Sequence, residues 1–558
     1  MWSRHRLEWF VALVSTALGG AYLAAPAMGS DLAAQAGRAG FFAAHGWTPI
    51  DLRWYAGVDQ LGYSLVSQPV MALLGVRVTG VVALVAGSVL LAVLFRRTGA
   101  LRPWAAALLG AVGLAGNLVS GRVTYGLGIC VGLAALLALT FRPRRSAAVA
   151  AALLAALAAA TSPVVGLFLG LAGTALLLSN GWSSGVPRGS RDTPENQPAT
   201  GTARRPRAPG WLSGVLPGVA GTPDSQLGRG LLIAVPAAVP MGLSVLLFGD
   251  GGWMNISRTD TLHAVVTGLV VAALVPVRAV RIGAVLSSAG VLAAALIHTP
   301  VGLNATRLAV MFALPLLAGY AVLPRVARLP RAAGVAVVVA VVAWWQPPVF
   351  ADDLRDIGNP TASPGYFRPL TDRLARETLT GRVEIPPTRD YWEAARLGDV
   401  PLARGWLRQA DIDRNPLFFT TVPGASGTGV ALTAESYRAW LAEQAVQYVA
   451  VPDARLSWPG RTEAQLVTDG LPYLSLVWTD THWRLYAVTE AQPIVAAPAT
   501  LVRHTAAAIT LDVPAAGDVR LRVRWYRWLT VSDGAEVIRD GDWTIVRAPR
   551  PGRYTLSS

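Results

Sequence analysis

Residues Arg96–Arg122 read RRTGALRPWAAALLGAVGLAGNLVSGR, and this stretch decides the fold class. Arg96, Arg97 and Arg102 precede an apolar run over 103–120, and a lone Arg122 follows it. A helix needs about 20 predominantly apolar residues to cross the hydrocarbon layer. Arginine-rich flanks mark the cytoplasmic side. Outward in both directions the pattern repeats, with apolar runs near 9–28, 77–95, 103–120, 123–141, 146–161, 163–179, 230–248, 262–277, 282–298, 306–323 and 332–346. The expectation is an α-helical polytopic membrane protein of about 11 spans.

Charge sets the orientation. With the N-terminus cytoplasmic, the inside segments collect 19 arginines, and the outside segments collect 6: Arg38, Arg53, Arg77, Arg122, Arg258 and Arg307. An odd number of crossings then places everything after Gln346 outside the cell. Merging the two runs around Thr161-Ser162-Pro163 would reverse the later clusters. Pro163 also removes a backbone donor and disfavours the helical region before it, so the break stands. A cleaved leader ending near Ala25-Pro26-Ala27 is the alternative for residues 1–28, although the apolar run is longer than such leaders use.

All 48 basic residues are arginine, against 33 acidic ones, for a net charge of +15. Residues 1–346 carry 25 arginines and 9 carboxylates, whereas 347–558 carry 23 and 24. The basic excess therefore sits in the loops of the hydrophobic half and does not form a nucleic-acid footprint. Only 15% of residues are charged and mean hydropathy is +0.44, which excludes an ordinary soluble enzyme. Cys130 is alone in an apolar run, so neither a disulfide framework nor a thiol cluster is expected. No phosphate-binding glycine loop occurs, which argues against a nucleotide-driven pump. His45 and His298 lack ligand spacing, and no cofactor or metal is expected. Asn255-Ile256-Ser257 fits a glycosylation sequon without further support.

Residues 180–229, rich in Gly, Pro, Ser, Thr and Arg, read as a disordered cytoplasmic loop. Its Arg204-Arg205-Pro206-Arg207 suits a topology determinant more than a lipid-headgroup site. Beyond 346, residues 347–490 read as a small α/β region, with a helix over Tyr437–Gln447 and strands at Tyr448–Val451 and Trp483–Val488. Residues 491–558 alternate at Ala508–Val513, Val519–Trp525 and Trp543–Val546, and read as an antiparallel β-sandwich.

Carboxylates are costly in a bilayer, so their placement is informative. None of the nine in residues 1–346 falls inside an apolar run. Asp31, Asp51 and Asp59 lie in the first outer loop, residues 29–76. Ser30-Asp31 opens a helix over Leu32–His45 whose apolar residues suit a position along the membrane surface. Trp47, Trp54, Tyr55 and Tyr63 then mingle with Asp51 and Arg53, a mixture suited to an interfacial sugar site.

This organisation resembles the GT-C superfamily of integral-membrane glycosyltransferases, on a long first outer loop with an Asp just beyond helix one, a surface helix, many further helices and an outer C-terminal domain. Asp51-Leu52-Arg53-Trp54-Tyr55-Ala56-Gly57, Gly62-Tyr63-Ser64 and Gln68-Pro69 resemble the first-loop pattern of actinobacterial membrane proteins grouped near it. The resemblance implies a polyprenyl-phosphate sugar donor, a glycan, lipid or protein acceptor and an outer-face inverting transfer. It carries the catalytic carboxylate to Asp31, where a positioned base takes the proton of a weakly nucleophilic sugar hydroxyl. The lipid-phosphate leaving group calls for guanidinium partners at outside helix ends, namely Arg53, Arg122 and Arg307. Tyr63, Tyr125, His298 and Asn304 join them as substrate-binding candidates.

Each has a plainer reading. Asp31 could cap the surface helix. Asp51, the second catalytic candidate, could bind acceptor or a metal, or simply pair with Arg53. Arg122 could hold a lipid headgroup, the run His298–Arg307 could be an ordinary turn, and Trp525, Trp528 and Trp543 could be sugar platforms or core. The competing functions are a transporter or lipid flippase, which would place ionisable groups at mid-membrane, and a non-catalytic scaffold with an extracellular binding domain.

Overall fold

The computed structural model describes residues 5–141, 145–180, 224–323, 330–346 and 350–558. Most of the loop expected over 180–229 lies outside these described residues. The helices of the first half are α1 (Arg6–Ala24), α2 (Leu32–His45), α3 (Ser67–Leu74), α4 (Val76–Arg97), α5 (Pro103–Val119), α6 (Val123–Ala138), α7 (Arg145–Thr161), α8 (Pro163–Asn180), α9 (Asp224–Phe248), α10 (Arg258–Leu274), α11 (Arg278–Leu296), α12 (Arg307–Tyr320) and α13 (Arg331–Trp345). Apart from α2 and α3, these are eleven apolar helices over the expected runs. Five of them, α1, α4, α9, α11 and α12 with its preceding turn, are long and apolar enough to cross a membrane. α1 ends four residues before its apolar run does, because Pro26 forces Ala25 into an extended backbone.

The packing is inverted relative to a water-soluble bundle. Ala106, Ala107, Ala111, Ala155 and Ala158 are fully buried between helices, while Leu13, Leu153, Val245, Leu246 and Leu296 are exposed on the outside. Between helices in lipid, close approach of small residues replaces the hydrophobic drive. Gly128, for example, leaves no room for a Cβ against Ser162. The large apolar girdle identifies a membrane protein.

The C-terminal part is β-rich. Strands β3 (Arg382–Glu384), β4 (Val446–Pro452), β5 (Leu474–Thr479) and β6 (Trp483–Val488) follow β1 and β2 of the first loop (Ile50–Asp51 and Val58–Asp59). They form a sheet of order β3-β4-β6-β5, parallel only at β3-β4 and flanked by short helices. Next come β7 (Thr500–His504), β8 (Ala508–Val513), β9 (Gly517–Arg524), β10 (Thr530–Val531), β11 (Glu536–Asp540), β12 (Trp543–Ala548) and β13 (Gly552–Ser557). They make two sheets, β10-β13-β8-β7 and β11-β12-β9. Alternate residues such as Ile509, Leu511, Leu521, Val523, Val546 and Leu556 fill the core between them.

The first loop departs from expectation. β1 pairs with β2 through a tight hairpin in which Tyr55, Ala56 and Gly57 all have positive φ. The hairpin drives Trp54 and Tyr55 into the core of the C-terminal α/β unit, beside Trp392, Leu370 and Val383. Trp54 Nε1 donates to the Ala394 carbonyl at 3.1 Å, and Tyr55 OH donates to that of Gly405 at 2.5 Å. Ile50 and Leu52 enter the sandwich core instead. Trp54 is thus a core anchor off the cavity, whereas Tyr55 is packed in the same core and also lines the cavity described below. For the same reason α2 does not lie free on a surface. The C-terminal part covers its outer side, with Trp54 pressed on Gly37, and Gln35 and Arg38 are completely buried. Among the tryptophans considered as sugar platforms, Trp543 is buried, and Trp528 stacks on Phe248 while donating to the Leu247 carbonyl.

Candidate active site

Two glycines bring the central charges together. Gly29 has φ +111°, and a Cβ there would lie 2.5 Å from the Val119 carbonyl oxygen. Gly121 has φ +73°, and its Cβ would lie 2.5 Å from the Leu32 nitrogen. Only residues without side chains let the 29–32 segment rest directly on the α5–α6 turn. Asp31 N then donates to the Ser120 carbonyl at 3.1 Å. Its carboxylate meets Arg122, with Nε 3.2 Å from Oδ2, and Arg307, with Nη2 3.7 Å from the same oxygen. Although Asp31 occupies the position before α2, its side chain makes no capping hydrogen bond. The capping role is therefore not the one the side chain performs.

Arg307 opens α12 after a tight turn over Gly302–Thr306, and its guanidinium lies over the Tyr125 ring at 4.9 Å. Asn304 in that turn points its amide at the Met254 sulfur, 3.2 Å away. Tyr63 accepts a hydrogen bond from Gln35 Nε2 at 2.8 Å and lies under Arg38 at 4.2 Å. Gln35 is itself fixed by the Thr124 hydroxyl, which donates to its Oε1 at 2.6 Å. Burial, then the Asp31 charge, hold the Tyr63 phenol above its usual range, so it stays protonated and able to donate.

These groups share one cavity of about 1060 Å³. Asp31, Tyr63, Arg122, Tyr125, Asn304 and Arg307 line its polar part. Apolar walls continue along α5 and α12 (Leu109, Val112, Met311, Leu314) and along α8 and α9 (Val164, Leu167, Met241, Val245). The C-terminal part closes a further side with Tyr391, Trp406, Arg408 and Trp458. One carboxylate facing two guanidinium groups leaves a net positive charge beside an apolar channel, which suits an anionic headgroup on a hydrocarbon tail.

Three candidates lie apart. Asp51 is fully buried and holds Arg53 through both oxygens, at 3.0 and 2.7 Å, while also accepting from Gln60 at 3.0 Å. Arg53 in turn donates to the Gly37 carbonyl. Neither lines the cavity, and the pair braces the hairpin against α2. His298 stacks on Trp253 with ring centres 4.1 Å apart, also off the cavity wall. Among the described residues, no group of three or more His, Cys, Asp or Glu side chains is placed to hold a metal.

Arg38, Asp59 and Asp250 also line the cavity, although none is expected there from its sequence context. Arg38 is completely buried and donates to Gln60, but its Nε and Nη2 have no protein acceptor. Asp59 accepts from the backbone nitrogens of Leu61 and Gly62, and its own nitrogen donates to Asp250. Burial, then the neighbouring Asp250 charge, push Asp59 up to about 8. Asp250 is satisfied by Tyr526 OH at 2.5 Å and Arg414 Nη2 at 3.0 Å. The run Asp59-Gln60-Leu61-Gly62, an Asp with a Gly three residues on, carries a turn signature that marks Asp59 as structured. No local signal marks the C-terminal wall.

No protein-family model and no curated protein matches the chain. Among solved structures, the chain is similar to a cryo-EM structure of arabinofuranosyltransferase AftD from mycobacteria, with 18% identity and a TM-score of 0.44 over 92% of this chain. It is similar also to a mutant of that enzyme, with 18% identity and a TM-score of 0.42 over 88% of this chain. The chain spans 41% of the length of the first of these structures and 42% of the second.

Proposed function

We propose that the protein is a GT-C-type membrane glycosyltransferase that moves a sugar from a polyprenyl-phosphate donor to a cell-envelope acceptor on the outer face, with inversion. The observation that carries this reading is Asp31 facing Arg122 and Arg307 at the polar end of a largely apolar cavity. The prenyl chain lies along the apolar helix walls, and its phosphate takes the two guanidinium groups. That exchange relieves Asp31 of its ion-pair partners as the acceptor arrives. The acceptor hydroxyl oxygen attacks the anomeric carbon and its proton passes to Asp31. The bond from that carbon to the phosphate oxygen breaks, and the electron pair leaves with the lipid phosphate, where Arg122 and Arg307 stabilise it. A single displacement from the opposite face inverts the anomeric centre.

The arginine asymmetry of the loops supports a multi-pass protein with a cytoplasmic N-terminus and the β-rich part outside. The transporter reading lacks a corresponding observation. Among the described residues, Glu8 is the carboxylate that an apolar helix buries, and it sits in the first turn of α1 paired with Arg96 at 2.5 Å. The test is transfer from a radiolabelled polyprenyl-phosphate sugar by purified Asp31→Asn protein. Expression and folding should match wild type while transfer falls by roughly 10²–10⁴. Retained activity would remove Asp31 from the chemistry.

A further inference from the structure

We infer that the C-terminal wall of the cavity is a subsite for a sugar bearing an oxyanion, either a uronate carboxylate or a phosphate ester, so that the acceptor is an acidic glycan. The inference rests on the transferase reading and adds the chemistry of the second substrate.

Arg408 is the centre of this wall. Its Nη2 donates to the Tyr391 hydroxyl at 2.7 Å, and its guanidinium lies 5.7 Å from the Tyr391 ring, 5.5 Å from Phe419 and 5.2 Å from Trp458. The rings fix the orientation of the fork and leave Nη1 buried without an acceptor. Arg389, on the same wall, has a buried Nε in the same condition. Arg382 and Arg396 also leave a buried Nε without an acceptor, but neither lines the cavity. Arg404 is neutralised by Asp411 and Glu463, and Arg414 by Asp250. Among the described residues, neither Arg389 nor Arg408 forms such a pair. A buried guanidinium N–H without an acceptor is unfavourable, and an oxyanion satisfies it with a charge-assisted bond.

The rest of the wall is suited to a sugar ring. Trp406 and Trp458 both line the cavity, and indole faces pack against the apolar faces of pyranose or furanose rings. Trp406 Nε1 donates to the Ser30 carbonyl at 3.0 Å, which pins this platform one residue from Asp31. Tyr391 is held at φ +58°, a left-handed backbone that a non-glycine residue adopts at a cost. That cost is consistent with a position fixed for recognition. A sugar on Trp406, with its oxyanion on Arg408 and Arg389, would present a hydroxyl toward Asp31.

The experiment uses the full-length chain in nanodiscs of zwitterionic lipid. Calorimetry would measure binding of tetragalacturonate, a mannobiose 6-phosphate and a neutral galacto-oligosaccharide of similar size. One charged-probe arm binding at least about 10-fold tighter than the neutral probe is expected, with its identity telling carboxylate from phosphate. Arg408→Gln should shrink that preference to within about 3-fold while binding of polyprenyl phosphate is unchanged. Trp458→Leu should weaken charged and neutral probes alike. If Arg408→Gln fails to fold, Arg389→Gln reads out the same preference. Equal affinity for charged and neutral probes overturns the inference, as does a preference that both arginine variants retain. Loss of charged-probe binding when the nanodiscs contain phosphatidylglycerol also overturns it, by assigning the site to a lipid headgroup. Asp31→Asn separates the two ideas. Intact probe preference without transfer upholds both, whereas intact preference with full transfer sinks the Asp31 assignment alone.

Discussion

Arg122 donates from Nε to Asp31 Oδ2 at 3.2 Å, joining two residues 91 positions apart in the chain. These two groups neutralise each other, with Arg307 completing the set. Asp31→Asn therefore has an effect beyond loss of transfer. With the competing anion gone, polyprenyl phosphate should bind at least as tightly as to wild type, and by up to about 10-fold more. Direct lipid-phosphate binding measures this. A large loss of binding would show that Asp31 organises the cations and does not compete for them.

The turn that presents Asp31 has no space to spare. Gly29→Ala and Gly121→Ala each force a Cβ to 2.5 Å from the facing backbone, at a φ that alanine tolerates poorly. Each should lower stability by about 2–3 kcal/mol, seen as a lower unfolding temperature in detergent. Transfer should fall even in the folded fraction, because the Asp31–Arg122 distance is set by this contact. Ordinary activity per folded molecule would mean that the segment can shift without consequence.

Trp54 links the first loop to the C-terminal core. Trp54→Ala removes a fully buried indole and should cost about 3–5 kcal/mol. Limited proteolysis of the variant should release fragments from residues 360–490 at protease levels that leave wild type intact. Cleavage confined to other regions would contradict the role given to Trp54.

Asp59 gives a pH signature. Its carboxyl titrates near 8 in the folded protein, against an ordinary 3.8. A raised folded value means that the protonated form is favoured, so stability is fully present below about pH 4 and is lost as pH rises through 8. Asp59→Asn retains an oxygen for the Leu61 and Gly62 nitrogens and removes the repulsion from Asp250. Its unfolding temperature should exceed that of wild type above pH 7, with the difference shrinking toward pH 5. A constant offset across that range would assign the strain to something other than the paired carboxylates.

Local signals were readable, and long-range ones were not. Hydropathy and arginine placement located α4 through α13 because each apolar run declares itself within its own twenty or so residues. Arg122 and Arg307 stood out because each lies at the outside end of such a run, and Asp31 because the resemblance of the first loop implies a carboxylate just beyond helix one. Asp51 and Arg53 carried the same local signal, yet their bidentate pairing consumes it. Strands β5 and β7, at the edges of their sheets, show little alternation of burial and gave no periodic signal. The fate of Trp54 and Tyr55 depends on partners such as Leu407, whose nitrogen donates to Tyr55 OH from 352 positions away. No window of sequence holds that information.

The hairpin that inserts Trp54 and Tyr55 also dictates an order of assembly. Residues 50–58 emerge early in synthesis, but the walls that receive them are made only when positions 366–556 follow. Until then a tryptophan and a tyrosine meant for an interior stand unsheltered, an interval in which such surfaces invite aggregation. Maturation of this protein is thus gated by its last third, and truncations late in the chain should mislocalise or destroy the early loop along with the part they remove.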